Sequence, residues 1–123
     1  MKVLVADRLD PYAISLLEQA GFRTRVQPDL KGEQLTASIA DFEPQILIVR
    51  STQVSAEMCS ASDALELIIR AGAGVNTIDL TAAARHAICV SNCPGMNAIA
   101  VAELVMGHIL NADRKIADNV ASA

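Results

Sequence analysis

An α/β fold organised on a parallel sheet is what this sequence predicts, and three observations predict it. Short β-branched or aliphatic runs recur along the chain, and helix-length amphipathic segments separate them. The apolar runs are continuous rather than alternating, as in strands covered on both faces. Parallel strands need crossover connections, which the intervening helices supply.

The elements follow in order. Val3-Leu4-Val5-Ala6 reads as the first strand, and a helix near Pro11 to Ala20 follows, with proline at its start and Gly21 at its end. A second strand is expected at Phe22 to Val26 and a helix at about Gly32 to Asp41. The third strand is Ile46-Leu47-Ile48-Val49, ending at Arg50-Ser51-Thr52. The fourth, Leu67-Ile68-Ile69-Arg70, runs into Ala71-Gly72-Ala73-Gly74. A short helix near Thr81 to His86 leads to a fifth strand at Ala87 to Val90, and Asn97 opens a long helix through about Asn119. Five strands with helices on both faces make a flavodoxin-like sheet. No Pro/Gly/Ser-rich linker, repeat or low-complexity tract interrupts it, so a boundary is expected near Pro94-Gly95.

In 123 residues, 52% of them hydrophobic and 20% charged, one real core is expected. The net charge of -4 argues against a nucleic-acid partner, as do the few scattered aromatics, Tyr12, Phe22 and Phe42, which offer no stacking platform. Three cysteines, Cys59, Cys89 and Cys93, and a start at Met1-Lys2 that runs straight into a strand point to a reducing, cytoplasmic setting. The longest apolar stretch, Ala98 to Leu110, is interrupted by Glu103, Gly107 and His108 and is too short to span a bilayer.

In open parallel sheets ligands bind beyond the carboxyl ends of the strands. Three segments lie there: Arg50-Ser51-Thr52, Arg70 to Thr77, and Ser91 to Asn97. In Ala71-Gly72-Ala73-Gly74 the small residues leave the backbone unshielded, so its N–H groups can approach an anion; a tight turn that only packs strand to helix explains them as well. A dinucleotide fingerprint is a poor match, because Thr77 stands where a third glycine belongs. Arg50 and Arg70 end their strands with planar forks suited to carboxylate or phosphate, though a strand-end arginine is also an ordinary solvated cation. Ser51 adds a hydroxyl, and Asn92 and Asn97 add amides, with Asn97 equally a natural N-cap. His86, Cys89 and Cys93 lack a fourth metal ligand, and the cysteines read as buried inert thiols. His108 reads as a packed or surface histidine.

The run Val49-Arg50-Ser51-Thr52, then Ile69 to Val75, then Asn92, Pro94-Gly95, Asn97 and Val101-Ala102-Glu103-Leu104 resembles the D-2-hydroxyacid dehydrogenases in order and spacing. The Asn-x-Pro-Gly-x-Asn stretch is its most specific part, and the Arg-Ala-Gly-x-Gly loop points towards the phosphoglycerate branch. This resemblance implies oxidation of a 2-hydroxy acid to the 2-oxo acid with NAD. It implies that Ala73 and Gly74 offer N–H groups to the substrate carboxylate, with Ala73 also near the nicotinamide end of the cofactor. Arg50, Ser51, Arg70, Asn92 and Asn97 would hold the rest of the acid. Asn76-Thr77 departs from the Asp-Asn usual at that position.

The resemblance further implies a substrate-binding domain over 1–96 and an interdomain helix over 97–123 leading to an NAD-binding domain that this chain lacks. The family's dinucleotide fingerprint, its substrate-orienting arginine and its Glu-His pair all belong to later sequence, so no catalytic residue is expected here. The helix Asn97 to Asn119, apolar all round, is expected to self-associate or to meet that absent domain. The alternative is a stand-alone flavodoxin-like module for small-anion binding or signalling. Against a receiver domain, Arg50 stands where the third strand needs a phosphoacceptor Asp, and against a flavin module, aromatics are scarce.

Overall fold

The computed structural model describes residues 1–122, which divide into two compact units, the first Met1–Cys93 and the second beginning at Pro94. The first unit is built on five strands: β1 (Lys2–Val5), β2 (Arg23–Val26), β3 (Ile46–Val49), β4 (Leu67–Arg70) and β5 (Cys89–Asn92). All pair in parallel, in the order β2-β1-β3-β4-β5. That is the flavodoxin-like order, whose reversal beside β1 makes a crevice at the carboxyl rim.

Period-two alternation divides the core. Leu4, Leu47, Val49 and Ile68 face α2 (Gly32–Phe42), α3 (Ala56–Cys59) and α4 (Leu80–Arg85), packing on Leu35, Ile39, Met58 and Ala83. Val3, Val5 and Ile48 face the other way, against Ile14 and Leu17 of α1 (Pro11–Gln19). Helices therefore cover both faces, as the continuous apolar strands predict.

The helix ends follow local chemistry. Asp10 caps α1 by accepting from the Tyr12 N–H at 2.8 Å, with Pro11 in the first turn, and Asp79 caps α4 through the Ala82 N–H at 2.9 Å. The edge strand β2 is guarded by arginine. Arg23, Arg25 and Lys2 surround the Phe42 ring, Arg25 closest at 4.1 Å from its centroid, and Arg25 also pairs with Asp41 at 2.9 Å.

Three expectations need correction. The fifth strand lies at Cys89–Asn92, two residues later than the apolar run suggests. Its first apolar residues instead close α4: Ala87 turns left-handed at φ 56°, its N–H donates to Ala84, and the Ile88 N–H donates to Ala83 at 2.9 Å. This is a Schellman closure, with Ile88 buried as its hydrophobic contact. The short α3 has too few residues to reveal a period and is absent from the pattern read in the sequence. The long final helix is broken into α5 (Ala98–Arg114) and α6 (Ile116–Ala121) by Lys115, left-handed at φ 49°. Asn97 does stand at the start of α5, but its side chain makes no capping hydrogen bond.

Ala87 holds a conformation that costs an L-residue roughly 1–2 kcal/mol and glycine almost nothing. Ala87→Gly is therefore expected to stabilise the first unit by about 1 kcal/mol, after the added unfolded-state freedom of glycine is subtracted. Urea denaturation measures this; an unchanged or lowered midpoint contradicts a strained closure.

In the second unit α5 buries no residue. Ile99, Val101, Leu104, Val105, Met106, Ile109 and Leu110 are all exposed, Leu104 by 61%. Among the described residues no helix is long and apolar enough to cross a membrane.

Candidate functional site

The carboxyl rim of the first unit collects six of the residues singled out from the sequence. Val49, Arg70 and Asn92 are Cα partners across β3, β4 and β5, so Arg50, the glycine loop and the end of β5 emerge side by side. On the other flank Val5 pairs with Ile48, which sets Asp7 level with Arg50. Parallel pairing in register thus places four chain segments at one edge. Asn97 belongs to the second unit.

Hydrogen bonds tie the rim segments to one another. Arg70 donates from Nε to the Arg50 carbonyl at 3.1 Å and from Nη1 to the Gly74 carbonyl at 2.7 Å. Asn92 donates from Nδ2 to the Ala73 carbonyl at 2.7 Å. The loop is closed at its root by the Ala71 N–H donating to Val49 and the Cys93 N–H donating to Gly72. Arg70 and Asn92, read from sequence as ligands for an acid, thus also shape the loop. Their remaining donors stay available, since a guanidinium has five N–H groups and Arg70 engages its backbone partners through only two nitrogens.

This explains the glycines differently from the sequence. A Cβ on Gly72 would lie 3.3 Å from the Arg70 guanidinium carbon, and one on Gly74 would lie 3.3 Å from Arg70 Nη1 and from the Asn76 side-chain oxygen. A side chain at either glycine would press on the arginine of the loop's own strand, which folds over it. With its carbonyls engaged, the loop leaves the N–H groups of Ala73 and Gly74 without an acceptor among the described residues.

Asp7 is a rim residue that sequence reasoning passes over. It is 9% exposed, and its Oδ2 accepts from the backbone N–H groups of Arg50 at 2.7 Å, Ser51 at 3.1 Å and Thr52 at 3.0 Å, while Oδ1 accepts from the Ser51 hydroxyl at 3.1 Å. Burial by itself raises its pKa, but the bonds from Arg50 and Thr52, with Ser51 adding to them, outweigh it and hold the carboxyl below its ordinary range. An acidic residue just past the first strand is the only signal the sequence offers.

Beside Asp7 a cleft of about 370 Å³ is lined by Arg8, Pro28, Asp29, Lys31, Arg50 and Ser51. It adjoins a second, of about 380 Å³, which shares Lys31 and Ser51. Arg8 is paired with Asp29 at 3.8 Å, whereas Arg50 makes no ion pair among the described residues. The rim therefore presents a free guanidinium, free backbone donors and room for a small anion, which are groups that bind and orient an acid.

The thiols are mostly not the buried ones expected. Cys59 is buried, and that burial, with the nearby Asp79 charge, pushes its thiol pKa up, but Cys89 and Cys93 are exposed. β5 is an edge strand, and the two-residue shift puts Cys89 at its open start. His86 closes α4 at the opposite end of β5 from the rim.

The sequence profile of the D-isomer specific 2-hydroxyacid dehydrogenases, catalytic domain, matches residues 3–123. The chain belongs to this family. The D-3-phosphoglycerate dehydrogenase of Homo sapiens is 40% identical to this chain over 122 residues, covering 98% of it and 22% of the human protein. The NAD+-bound 3-phosphoglycerate dehydrogenase of Entamoeba histolytica superposes with a TM-score of 0.79 at 32% identity, over 90% of this chain and 38% of that one. The TT0316 protein of Thermus thermophilus gives a TM-score of 0.88 at 27% identity, over 98% of this chain and 39% of its own. The chain thus spans about a fifth of the length of the curated relatives it matches.

Proposed function

We propose that this chain is the substrate-binding portion of an NAD-dependent D-2-hydroxyacid dehydrogenase that oxidises 3-phosphoglycerate. The observation that carries the reading is the pairing, at one rim, of the free Arg50 guanidinium with the unengaged N–H groups of Ala73 and Gly74. A phospho-acid has two anionic ends, and these are two kinds of anion receptor. The backbone pair receives the carboxylate, Ser51, Arg70 and Asn92 hold the rest of the molecule, and Arg50 meets the phosphate.

The described residues do not fit a whole dinucleotide. The Gly72–Gly74 turn does not open a helix, since α4 begins only at Leu80 with its first turn capped by Asp79, so no helix N-terminus faces the loop to take a pyrophosphate. Only Ala73 is assigned to the cofactor, beside its nicotinamide end, and the described residues offer the rest of NAD no cradle. The work of this chain is to bind and orient the acid.

Amide NMR during titration with 3-phosphoglycerate tests the reading. The amides of Ala73, Gly74 and Ser51 are expected to shift at millimolar ligand, and Arg50→Ala to weaken binding about ten- to a hundredfold, the worth of a hydrogen bond to a charged group. Shifts elsewhere with these amides unmoved overturn it.

A further inference from the structure

We infer that Asp7 is a positioning residue whose carboxylate fixes the root from which Arg50 and Ser51 reach the substrate. The inference rests on the reading of the rim as the substrate site.

A long, exposed arginine aims well only if its backbone is fixed, because an uncertain root adds to the freedom of its own side-chain torsions. Arg50 is held at both of its backbone groups. Its N–H donates to Asp7 at 2.7 Å, and its carbonyl accepts from Arg70 at 3.1 Å. Ser51 and Thr52 donate their N–H groups to the same Asp7 oxygen, so three successive backbone donors converge on one atom. Such convergence forces the segment into a tight concave turn. Thr52, only 4% exposed, seals the turn by donating its hydroxyl to the Ala6 carbonyl.

The donors sit 43 to 45 residues along the chain from Asp7, so the contact is a tertiary clamp between the ends of β1 and β3, the strands flanking the crevice. Asp7 also lines the cleft that Arg50 and Lys31 share, but its two oxygens already accept four bonds. Its charge is directed at the N–H groups of the turn, and with its lone pairs engaged it is a poor proton acceptor. Its effect passes through Arg50 and Ser51.

Three variants of the full chain test this. Asp7→Asn presents one oxygen to the three N–H groups and an amide to the Ser51 hydroxyl, which can turn to accept, so the clamp survives without its charge. Binding of 3-phosphoglycerate by this variant is expected within about threefold of the parent. Asp7→Ala removes the acceptors and is expected to weaken binding at least ~tenfold, the order expected when buried donors are left unpaired. Hydrogen exchange of the Arg50, Ser51 and Thr52 amides should accelerate at least ~tenfold while β1 and β3 stay protected. If the alanine variant does not fold, Asp7→Glu takes its place, because it keeps the charge and displaces it by one methylene; the same loss is expected.

A folded alanine or glutamate variant with parental affinity and parental exchange at these three amides overturns the inference. So does an asparagine variant as impaired as alanine, since charge would then be acting rather than position. If the parent itself does not bind 3-phosphoglycerate, the functional reading fails, while exchange at the three amides still decides whether Asp7 holds the loop.

Discussion

No turnover is expected from this chain by itself: mixed with NADH and 3-phosphohydroxypyruvate, or with NAD and 3-phosphoglycerate, it leaves the absorbance of the reduced nicotinamide at the level of a buffer blank. Hydride transfer needs the nicotinamide held within a few ångströms of the substrate carbon, and pre-positioning of that kind accounts for about 7–11 kcal/mol of a barrier. The glycine loop offers no pyrophosphate cradle, so that contribution is missing. A positioned acid or base adds roughly another hundred- to ten-thousandfold. At the rim the one buried carboxylate among the described residues, Asp7, already accepts four hydrogen bonds, and His86 stands at the far end of β5. Activity that survives repurification and disappears in Arg50→Ala would place the chemistry in this chain after all.

The second large effect concerns α5. Every residue from Ala98 to Leu110 except Glu103, Gly107 and His108 is apolar, and the large ones are exposed. Soluble monomers rarely leave so extended an apolar surface in water. Purified alone, the chain can offer that surface only to another copy of itself, so self-association at micromolar concentration is expected. Burying several Leu, Ile, Val and Met side chains at ~1.5–3 kcal/mol each leaves a surplus after the cost of association. A double substitution, Leu104→Glu with Ile109→Lys, is expected to shift sedimentation to monomer without changing the stability of the first unit. A parent chain that sediments as a monomer at high concentration contradicts this.

What is legible in the sequence is whatever local pattern alone determines. The four earlier strands fall within a residue or two of their expected places because their apolar runs need no knowledge of partners, and the helices beginning at Pro11 and Gly32 announce themselves by proline, glycine and spacing. The fifth strand is displaced because Ile88 is apolar for a different reason: it plugs a helix closure, and a single apolar residue does not say whether it belongs to a strand or a turn. Lys115 carries no mark of the left-handed turn it makes. At the rim, residue types announce anion binding, but not which donors are engaged within the protein. Asp7 escapes notice because its partners are backbone N–H groups distant in sequence, and a backbone donor has no residue type to read. The inward turn of Arg70 over its own loop is equally invisible.

The strand order has a consequence for how the chain is made. β1 is interior, β2 docks on one side of it, and β3, β4 and β5 then extend the other side in the order in which they are synthesised. No strand has to be inserted between two that are already paired. At ~5–20 residues per second the ribosome takes about 1–4 s to deliver the roughly 20 residues separating successive strands. Pairing of parallel strands through crossovers is slower than hairpin formation, yet mixed α/β domains commonly complete it on the order of milliseconds. Each new strand therefore meets a formed edge, and the sheet can assemble in step with translation, growing at one edge while β2 stays the other.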